Sequence, residues 1–303
     1  HYCQAMVERL ALPDGLRYAH VSTLAADLGN TSLFLALWTG GSVYLANDQE
    51  RRDPQQLAVA LAAQQVDCLK CTPTQWRLLS AVDCAGVSLQ WLILGGERLS
   101  KALAQETLAT GRVRHLVNHY GPSEFTIGAT VQPVTEALLA TWEGEWVPIG
   151  SPLGQNSALI RPECGGKKWV AATAGTGNGE LYLCGPGQAL GYRDLPKETR
   201  QRFVVVGTPP RPAYRTGDWV RVDAQGLLHF IGRLDRQVKV NGYRVELEPV
   251  ERQLRLAGAG YNRVIHVRHG QRDVLLCAYE GAPELAAGLR QQLLRDLPSY
   301  RVP

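Results

Sequence analysis

From His1 to Thr130 the chain alternates between short apolar runs of strand length and segments of helical pattern, and this alternation constrains the fold more than any other feature. The strand-like runs are Tyr18–Thr23, Ser42–Ala46, Val66–Cys71, Leu89–Leu94 and Val113–Val117. Short apolar runs bounded by turn residues are the pattern of buried strands. Helical patterns lie between them: His1–Leu12, ended by Pro13-Asp14-Gly15; Leu33–Leu37, stopped by Gly40-Gly41; and helices opened by Asp53-Pro54 and Thr72-Pro73-Thr74. Strands that alternate with helices form a mostly parallel α/β sheet. Such a sheet binds its ligands just beyond the carboxyl ends of its strands.

The texture changes at Gln132. Val147–Gly154 is rich in turn residues, and short β runs follow at Ser157–Arg161, Trp169–Ala172 and Glu180–Cys184. After Asp235 come helical patterns at Pro249–Arg255 and Pro283–Arg295, with strands at Arg263–Val267 and Val274–Tyr279. The expected divisions are an α/β part over 1–131, a β-rich part over 132–234 and a small α+β domain over 235–303.

Composition narrows the function. A net charge of +4 over 303 residues, with no basic cluster interleaved with aromatics, argues against nucleic acid. No apolar run is long enough to span a membrane, and no signal-peptide pattern is visible. The odd count of 7 Cys favours reduced thiols and a cytoplasmic setting. Cys68-Leu69-Lys70-Cys71 is formally a CxxC, but it has no second pair and lies in a strand-like run, so buried inert thiols are expected there. With His1 in place of a Met, the sequence is expected to be a piece of a longer chain.

The chemistry concentrates in Asn118-His119-Tyr120-Gly121-Pro122-Ser123-Glu124-Phe125-Thr126. Gly121-Pro122 signals a turn, so the polar cluster is expected on a loop just after a buried strand. Tyr120 offers an aromatic face for a base, Ser123 a hydroxyl for a phosphate, and Glu124 a hard oxygen ligand for Mg²⁺. A second candidate is Gly95-Gly96-Glu97, a glycine turn after a strand that lets a flat ligand approach the backbone. A third is Tyr214-Arg215-Thr216-Gly217-Asp218, where a carboxylate at a tight Thr-Gly turn can accept both hydroxyls of a ribose diol.

The central stretch resembles the NxYGPTE signature of adenylate-forming ligases, most closely the amino-acid adenylation domains of nonribosomal peptide synthetases, with Ser123 in place of the Thr. The likeness continues along the chain. Ser22–Thr31 is similar to the same point of those domains, and Gly179–Gly185 with Ala189–Tyr192 resembles GELYIGG…ARGY, with Leu190 where Arg is usual. Tyr214–Asp218 matches YRTGD. Gly232–Leu247 resembles GRxDxQVKIRGxRIEL, and Leu297–Pro303 resembles LPxYMVP. Two pieces of the family have no match here: the Gly/Ser/Thr-rich phosphate loop with its Lys, and the NGKxDR-like motif with the catalytic Lys.

The resemblance implies a luciferase/acyl-CoA synthetase-like fold, incomplete at both ends. It also implies ATP or AMP and Mg²⁺ as ligands, and phosphopantetheine on a partner carrier protein beside neighbouring synthetase domains. Glu124 would hold Mg²⁺ and Ser123 would contact phosphate; Tyr120 would stack on adenine, flanked by Gly95, Gly96, Glu97 and Asn118. Asp218 and Arg233 would hold the ribose, Asp235 would be the hinge, and Lys239 and Gly242 would lie on the loop turned in for thioester formation. The pocket would be Asp27, Leu28, Thr31, Lys70, Ile93, Gly95, His119, Ile127 and Gly128, a set similar to the family's L-aspartate pattern. Asp27 would take the α-ammonium, while Lys70 and His119, two cationic or proton-donating groups, would face the side-chain carboxylate. Two other readings stay open: a truncated adenylation-like module that docks a neighbour, and a carboxylate–CoA ligase.

Overall fold

The structure is a computed structural model that describes residues 1–84, 86–162, 169–240, 243–269 and 272–303. It divides into two compact units, His1–Gly232 and Arg233–Pro303.

The first unit begins with α1 (Tyr2–Leu10), β1 (Arg17–His20), α2 (Asn30–Trp38) and β2 (Ser42–Leu45). Then follow α3 (Asp48–Arg52), α4 (Pro54–Ala63), β3 (Cys68–Cys71), α5 (Pro73–Ser80), β4 (Leu89–Gly95), α6 (Lys101–Ala109) and β5 (Val113–Tyr120). β6 (Thr130–Val134), α7 (Glu136–Thr141) and β7 (Ser151–Pro152) complete the first sheet. Its order is β2-β1-β3-β4-β5-β6-β7. The pairs from β2 through β5 are parallel, and β6 and β7 add antiparallel strands at one edge. The helices start where local chemistry dictates. Thr72 and Asn47 form capping boxes at α5 and α3, each contributing about 1 kcal/mol. The short α3 has no apolar period to announce it in the sequence.

Both faces of this sheet are covered. α4, α5 and α6 supply Leu61, Trp76 and Leu103 to one core, against Leu69, Leu92 and Leu116. α1 and α2 supply Met6 and Leu35 to the other, against Cys68, Ile93 and Val117. Successive residues of a strand face opposite ways. Hence Cys68 packs into one core and Cys71 into the other, which parts the two thiols of the CxxC. Burial pushes both thiols up, Cys71 to about 12.

The second sheet holds β8 (Ser157–Pro162), β9 (Val170–Ala171), β10 (Gly177–Cys184), then, after α8 (Pro196–Arg202), β11 (Phe203–Val206), β12 (Arg211–Val222) and β13 (Leu228–Arg233). The expected seam at 131/132 falls inside β6. The sheets change only after β7, because β6 pairs antiparallel with β5 along Tyr120↔Thr130 to Leu116↔Val134. The stretch Tyr120–Ala129 is shared between the layers: Tyr120, Phe125 and Ala129 pack with Ile160, Leu181 and Tyr214 of the second sheet.

The second unit has a hairpin, β14 (Gln237–Val240) with β15 (Tyr243–Glu246), then α9 (Leu247–Leu256), a second hairpin of β16 (Asn262–His269) and β17 (Arg272–Tyr279), and α10 (Leu285–Asp296). Val245, Val250, Val264, Leu275 and Leu289 form its core. Arg236 fixes one side of it, donating to both oxygens of Glu251 at 2.7 and 2.8 Å and to the Val264 carbonyl at 2.9 Å.

Candidate functional site

In the first sheet β1 and β3 are neighbours, while the chain proceeds outward from β1 to β2 and, on the other side, from β3 to β5. A parallel sheet in the order 2-1-3-4-5 has its topological switch point between strands 1 and 3, and ligands bind outside the carboxyl ends there. The sequence places chemistry at that point. β1 ends at His20 and leads to the Ser22–Asp27 segment, and β3 ends at Lys70-Cys71. Register pairs His20 with Lys70, Lys70 with Ile93, and Gly95 with His119.

Lys70 is 1% exposed and His119 3%. Lys70 Nζ lies 2.9 Å from His119 Nδ1, and His119 Nε2 lies 3.1 Å from the Tyr2 hydroxyl, which is 2.8 Å from Thr31 Oγ1. Burial first, and the Lys70 charge second, hold the imidazole well below its usual range, so it is neutral. An ammonium has only donors, and a neutral imidazole has one donor and one acceptor. Nδ1 therefore accepts from Lys70, Nε2–H donates to Tyr2, and Tyr2 donates to Thr31. The expectation that Lys70 and His119 both face a substrate anion needs correction: the imidazole gives both nitrogens to protein partners and braces Lys70.

Close packing surrounds this relay. A Cβ added at Gly95 would stand 2.6 Å from Lys70 Nζ and 2.5 Å from the His119 carbonyl oxygen; one at Gly128 would stand 2.0 Å from His119 Nε2. Gly128 is delivered by an unusual turn. Thr126 and Ile127 both adopt positive φ, 53° and 67°, and Gly128 N–H donates to the Thr126 carbonyl at 2.6 Å. Positive φ at a β-branched residue is strained, and such strain clusters at functional sites. The turn is held by Thr126 Oγ1 donating to Gly187 at 2.7 Å and by Ala129 N–H donating to Tyr120 at 2.8 Å.

Asp27 opens a 3-10 turn, Asp27–Gly29, just before α2. Its side chain caps neither element, since Ala26 and Gly29 are the N-cap residues and make no side-chain cap bond. Its Oδ2 is buried with no hydrogen-bond partner among the described residues, and its charge is felt at Tyr2. An unpaired buried carboxylate oxygen fits a cation. Leu28 follows the same turn and reaches Gly96, where an added Cβ would stand 2.8 Å from Leu28 Cδ1.

The other half of the site lies at the junction with the second sheet. Asn118, His119 and Tyr120 end β5 instead of lying on a loop, because β6 pairs with them through Val131 and Thr130; the turn starts at Gly121. Strand alternation then points Asn118 away from His119. Its amide donates to the Val147 and Pro148 carbonyls at 3.3 and 2.8 Å, which makes it a brace for that segment and corrects its expected cofactor contact. Tyr120 donates a short hydrogen bond to Asp218 Oδ2. Asp218 lies within β12, at a register shift opposite Glu180 and Tyr182, so a bulge and not a turn presents it; its N–H donates to Thr216 Oγ1 at 2.9 Å.

Ser123 and Glu124 form a 3-10 turn, Ser123–Phe125, anchored by fully buried Phe125. Glu124 Oε1 accepts from the Tyr192 hydroxyl at 2.5 Å, and burial together with that carboxylate raises the Tyr192 phenol. Among the described residues no three His, Cys, Asp or Glu converge as a metal cage. Mg²⁺ with a nucleotide needs only one or two carboxylates, the phosphates supplying the rest, and Glu124 fits that donor set. Glu97 Oε2 accepts from Thr74 N–H and Oγ1 at 3.0 and 2.6 Å, which ties the Gly95–Glu97 turn to the start of α5.

In the second unit Arg233 donates to both oxygens of Asp235, each at 2.7 Å, so the expected ribose ligand and hinge residue are paired with each other. Lys239 lies on β14, opposite Arg244. Gly242 lies outside the described residues. Leu190, where the resembling motif has Arg, is fully exposed. Two tyrosines escaped the sequence reading: Tyr2, signalled only by a phenol on the apolar side of a helix, and Tyr192, which closes the ARGY-like segment.

The fold and this site define an adenylate-forming domain of the acyl-CoA synthetase-like class. The chain belongs to the AMP-binding enzyme family, whose model matches residues 1–193. It is 32% identical over 299 residues to surfactin synthase subunit 1 of Bacillus subtilis (strain 168), covering 95% of this chain and 8% of that protein. It is also 32% identical to phenyloxazoline synthase MbtB of Mycolicibacterium paratuberculosis, covering 93% of this chain and 24% of that one. Among solved structures, holo-PA1221, a nonribosomal peptide synthetase protein containing adenylation and carrier (PCP) domains, superposes with a TM-score of 0.84 at 32% identity, covering 96% of this chain and 49% of that one. The Vibrio cholerae adenylation domain AlmE, solved with glycyl-adenosine-5'-phosphate, gives 0.85 at 25% identity, covering 100% and 57%. The chain thus spans about a tenth of the surfactin synthase subunit and about half of these solved chains. Among the described residues no helix is long and apolar enough to cross a membrane.

Proposed function

We propose that this chain is the amino-acid and nucleotide site of a nonribosomal peptide synthetase adenylation domain that activates L-aspartate. The α-carboxylate of the amino acid attacks the α-phosphorus of ATP; a new P–O bond forms and pyrophosphate leaves. The thiol of a carrier protein's phosphopantetheine then displaces AMP. Such catalysis is mostly positioning plus charge placed against developing charge.

What supports this reading is a pair of opposite needs at the switch-point strands: an Asp27 oxygen buried without a hydrogen-bond partner among the described residues on the turn after β1, and a buried lysine on β3. Asp27 takes the α-ammonium and Lys70 the side-chain carboxylate, with Ile93, Ile127 and Gly128 as the apolar wall. On the other side Tyr120 and Asp218 receive the nucleoside, Ser123 contacts phosphate, and Glu124 holds Mg²⁺, which shields the phosphate charge. A CoA ligase for simple acids leaves Asp27 without its cation.

The test is amino-acid-dependent ATP–pyrophosphate exchange by the full-length polypeptide that carries this chain, across the common amino acids. Aspartate-dependent exchange that collapses in the Lys70→Ala, His119→Ala double variant supports the reading. Unchanged aspartate activation in that variant removes the carboxylate pocket. No exchange with any amino acid favours the docking module instead.

A further inference from the structure

The relay that begins at Lys70 ends outside every motif of the sequence, on α1. We infer that Tyr2 is a specificity-positioning residue: its phenol accepts from His119 Nε2–H and holds the ring in place, so that Nδ1 stays toward Lys70 and aims the ammonium at an anionic side chain of the substrate. This rests on the proposed aspartate reading and adds the element that makes it selective.

Three observations carry it. First, Tyr2 Oη is bound on both sides, 3.1 Å from His119 Nε2 and 2.8 Å from Thr31 Oγ1, so its proton has a fixed destination and its lone pair faces the imidazole. Second, the rings meet edge-on at 5.9 Å with an interplanar angle of 74°, and the residue is 6% exposed, which leaves little freedom to reorient. Third, Gly128 closes over the same edge of the ring: a Cβ added there would stand 2.0 Å from His119 Nε2 and 3.0 Å from Tyr2 Cε2. A neutral imidazole has two tautomers, and the hydrogen bond at one nitrogen decides the role of the other. If Nδ1 carried the proton, two donors would face each other across the 2.9 Å to Lys70 Nζ. The direction of the relay is set at Lys70, whose ammonium can only donate to Nδ1; Nε2–H then donates to the phenol oxygen, and the phenol proton is left for Thr31. Burial raises the Tyr2 phenol, which keeps it protonated at neutral pH.

The consequence is a division of labour. Lys70 is the cation of the relay, His119 its brace, and Tyr2 with Thr31 the end stop. Asparagine, the neutral isostere of aspartate, gains less from a well-aimed ammonium than aspartate does. Loss of the end stop therefore reduces the preference for aspartate over asparagine more than it reduces turnover.

The experiment is Tyr2→Phe, which keeps the ring and its packing, with Thr31→Val as the second lesion at the far end. In ATP–pyrophosphate exchange by the full-length polypeptide, the aspartate-to-asparagine ratio of kcat/KM is expected to fall roughly tenfold in each variant, mainly through KM for aspartate. In parallel, ¹⁵N NMR of the histidine side chains is expected to show His119 as the Nε2–H tautomer in the wild type, with its Nε2 resonance shifted in Tyr2→Phe by loss of the phenol acceptor. A wild type that activates aspartate, with the ratio and the His119 Nε2 resonance unchanged in Tyr2→Phe, overturns the role of Tyr2 and leaves the aspartate pocket standing. A wild type with no preference for aspartate overturns the pocket, and the inference built on it, at the first measurement.

Discussion

The two halves of the site treat their carboxylates differently. On the nucleotide side both acidic groups already have a phenol: Tyr120 on Asp218 and Tyr192 on Glu124. Where β1 and β3 end, Asp27 keeps a buried oxygen without a hydrogen-bond partner among the described residues, while Lys70 is braced through His119, Tyr2 and Thr31. A carboxylate with a hydroxyl donor is stable without ligand and can still accept, since it has about four lone-pair sites. A buried carboxylate oxygen without one is stabilised chiefly by what arrives. On the function proposed above, the contrast separates a half that holds a ligand common to the whole family from a half that chooses its own.

The sharpest way to break this contrast is Asp27→Ala. In the full-length polypeptide, amino-acid-dependent exchange should fall by about 100-fold or more, the scale of losing a buried charge-assisted partner of the ammonium. AMP binding, measured by calorimetry, should stay within about twofold, because the nucleotide half is satisfied on its own. An Asp27→Ala protein that loses AMP affinity as strongly as exchange merges the two halves and ends the distinction.

Next in size is Gly128→Ala. The methyl would meet His119 Nε2 at 2.0 Å, and the backbone there is fixed by the strained Thr126–Ile127 turn, so neither side yields easily. Overpacking of this kind costs about 1–3 kcal/mol, a fall of several degrees in Tm for a chain of this size. Thermal unfolding checks it. A Tm equal to wild type means that the imidazole moves aside freely and is not a rigid brace.

How much of this was legible beforehand follows the physics of each piece. The alternation of strand and helix patterns gave the parallel sheet, and glycine turns marked Gly95 and Gly121, because hydrophobic period and turn chemistry are local. The pairing of β5 with β6 was not legible. It depends on a contact between distant segments, and it moved Asn118, His119 and Tyr120 from a loop into a strand and turned Asn118 away from the site. Asp218 was expected at a tight turn and lies at a bulge, since a bulge reads like a turn until its partner strand is known. The contact of Lys70 with His119 was not legible. Nothing in a strand of four residues, Cys68–Cys71, says which way its lysine reaches. Tyr2 had no local signal at all beyond an amphipathic helix.

The recess should also leave a mark on stability against pH. His119 is held well below 6.5, so the unfolded chain binds a proton near pH 6.5 that the folded chain refuses. Stability is therefore greatest above about pH 6.5 and falls as the solution is acidified below it, with a slope of up to about 1.4 kcal/mol per pH unit from this one group. His229, lowered by burial although Asp223 accepts from it, acts in the same direction. Urea midpoints at pH 7.5 and 5.5 for wild type and His119→Gln measure the difference: the variant should lose less on acidification. Equal losses place the proton elsewhere, and the neutral-imidazole relay fails with them.

The smallest expected effect falls on the nucleotide half and sharpens the contrast from its other side. Tyr192 donates to Glu124 Oε1 at 2.5 Å and stacks edge-on to Phe203, with centroids 5.4 Å apart. Tyr192→Phe keeps the stacking and removes the donor. If the phenol merely satisfied a buried oxygen, the loss would be about 1 kcal/mol of stability and nothing else. If it also sets the angle at which Glu124 meets a cation, the Mg²⁺ concentration for half-maximal exchange should rise by about two- to fivefold with little change in KM for the amino acid. A titration of Mg²⁺ at saturating aspartate separates the two. An unchanged half-maximal Mg²⁺ concentration alongside a lower Tm reduces Tyr192 to scaffolding, and the phenols on the nucleotide side then stabilise the resting fold without tuning the metal site.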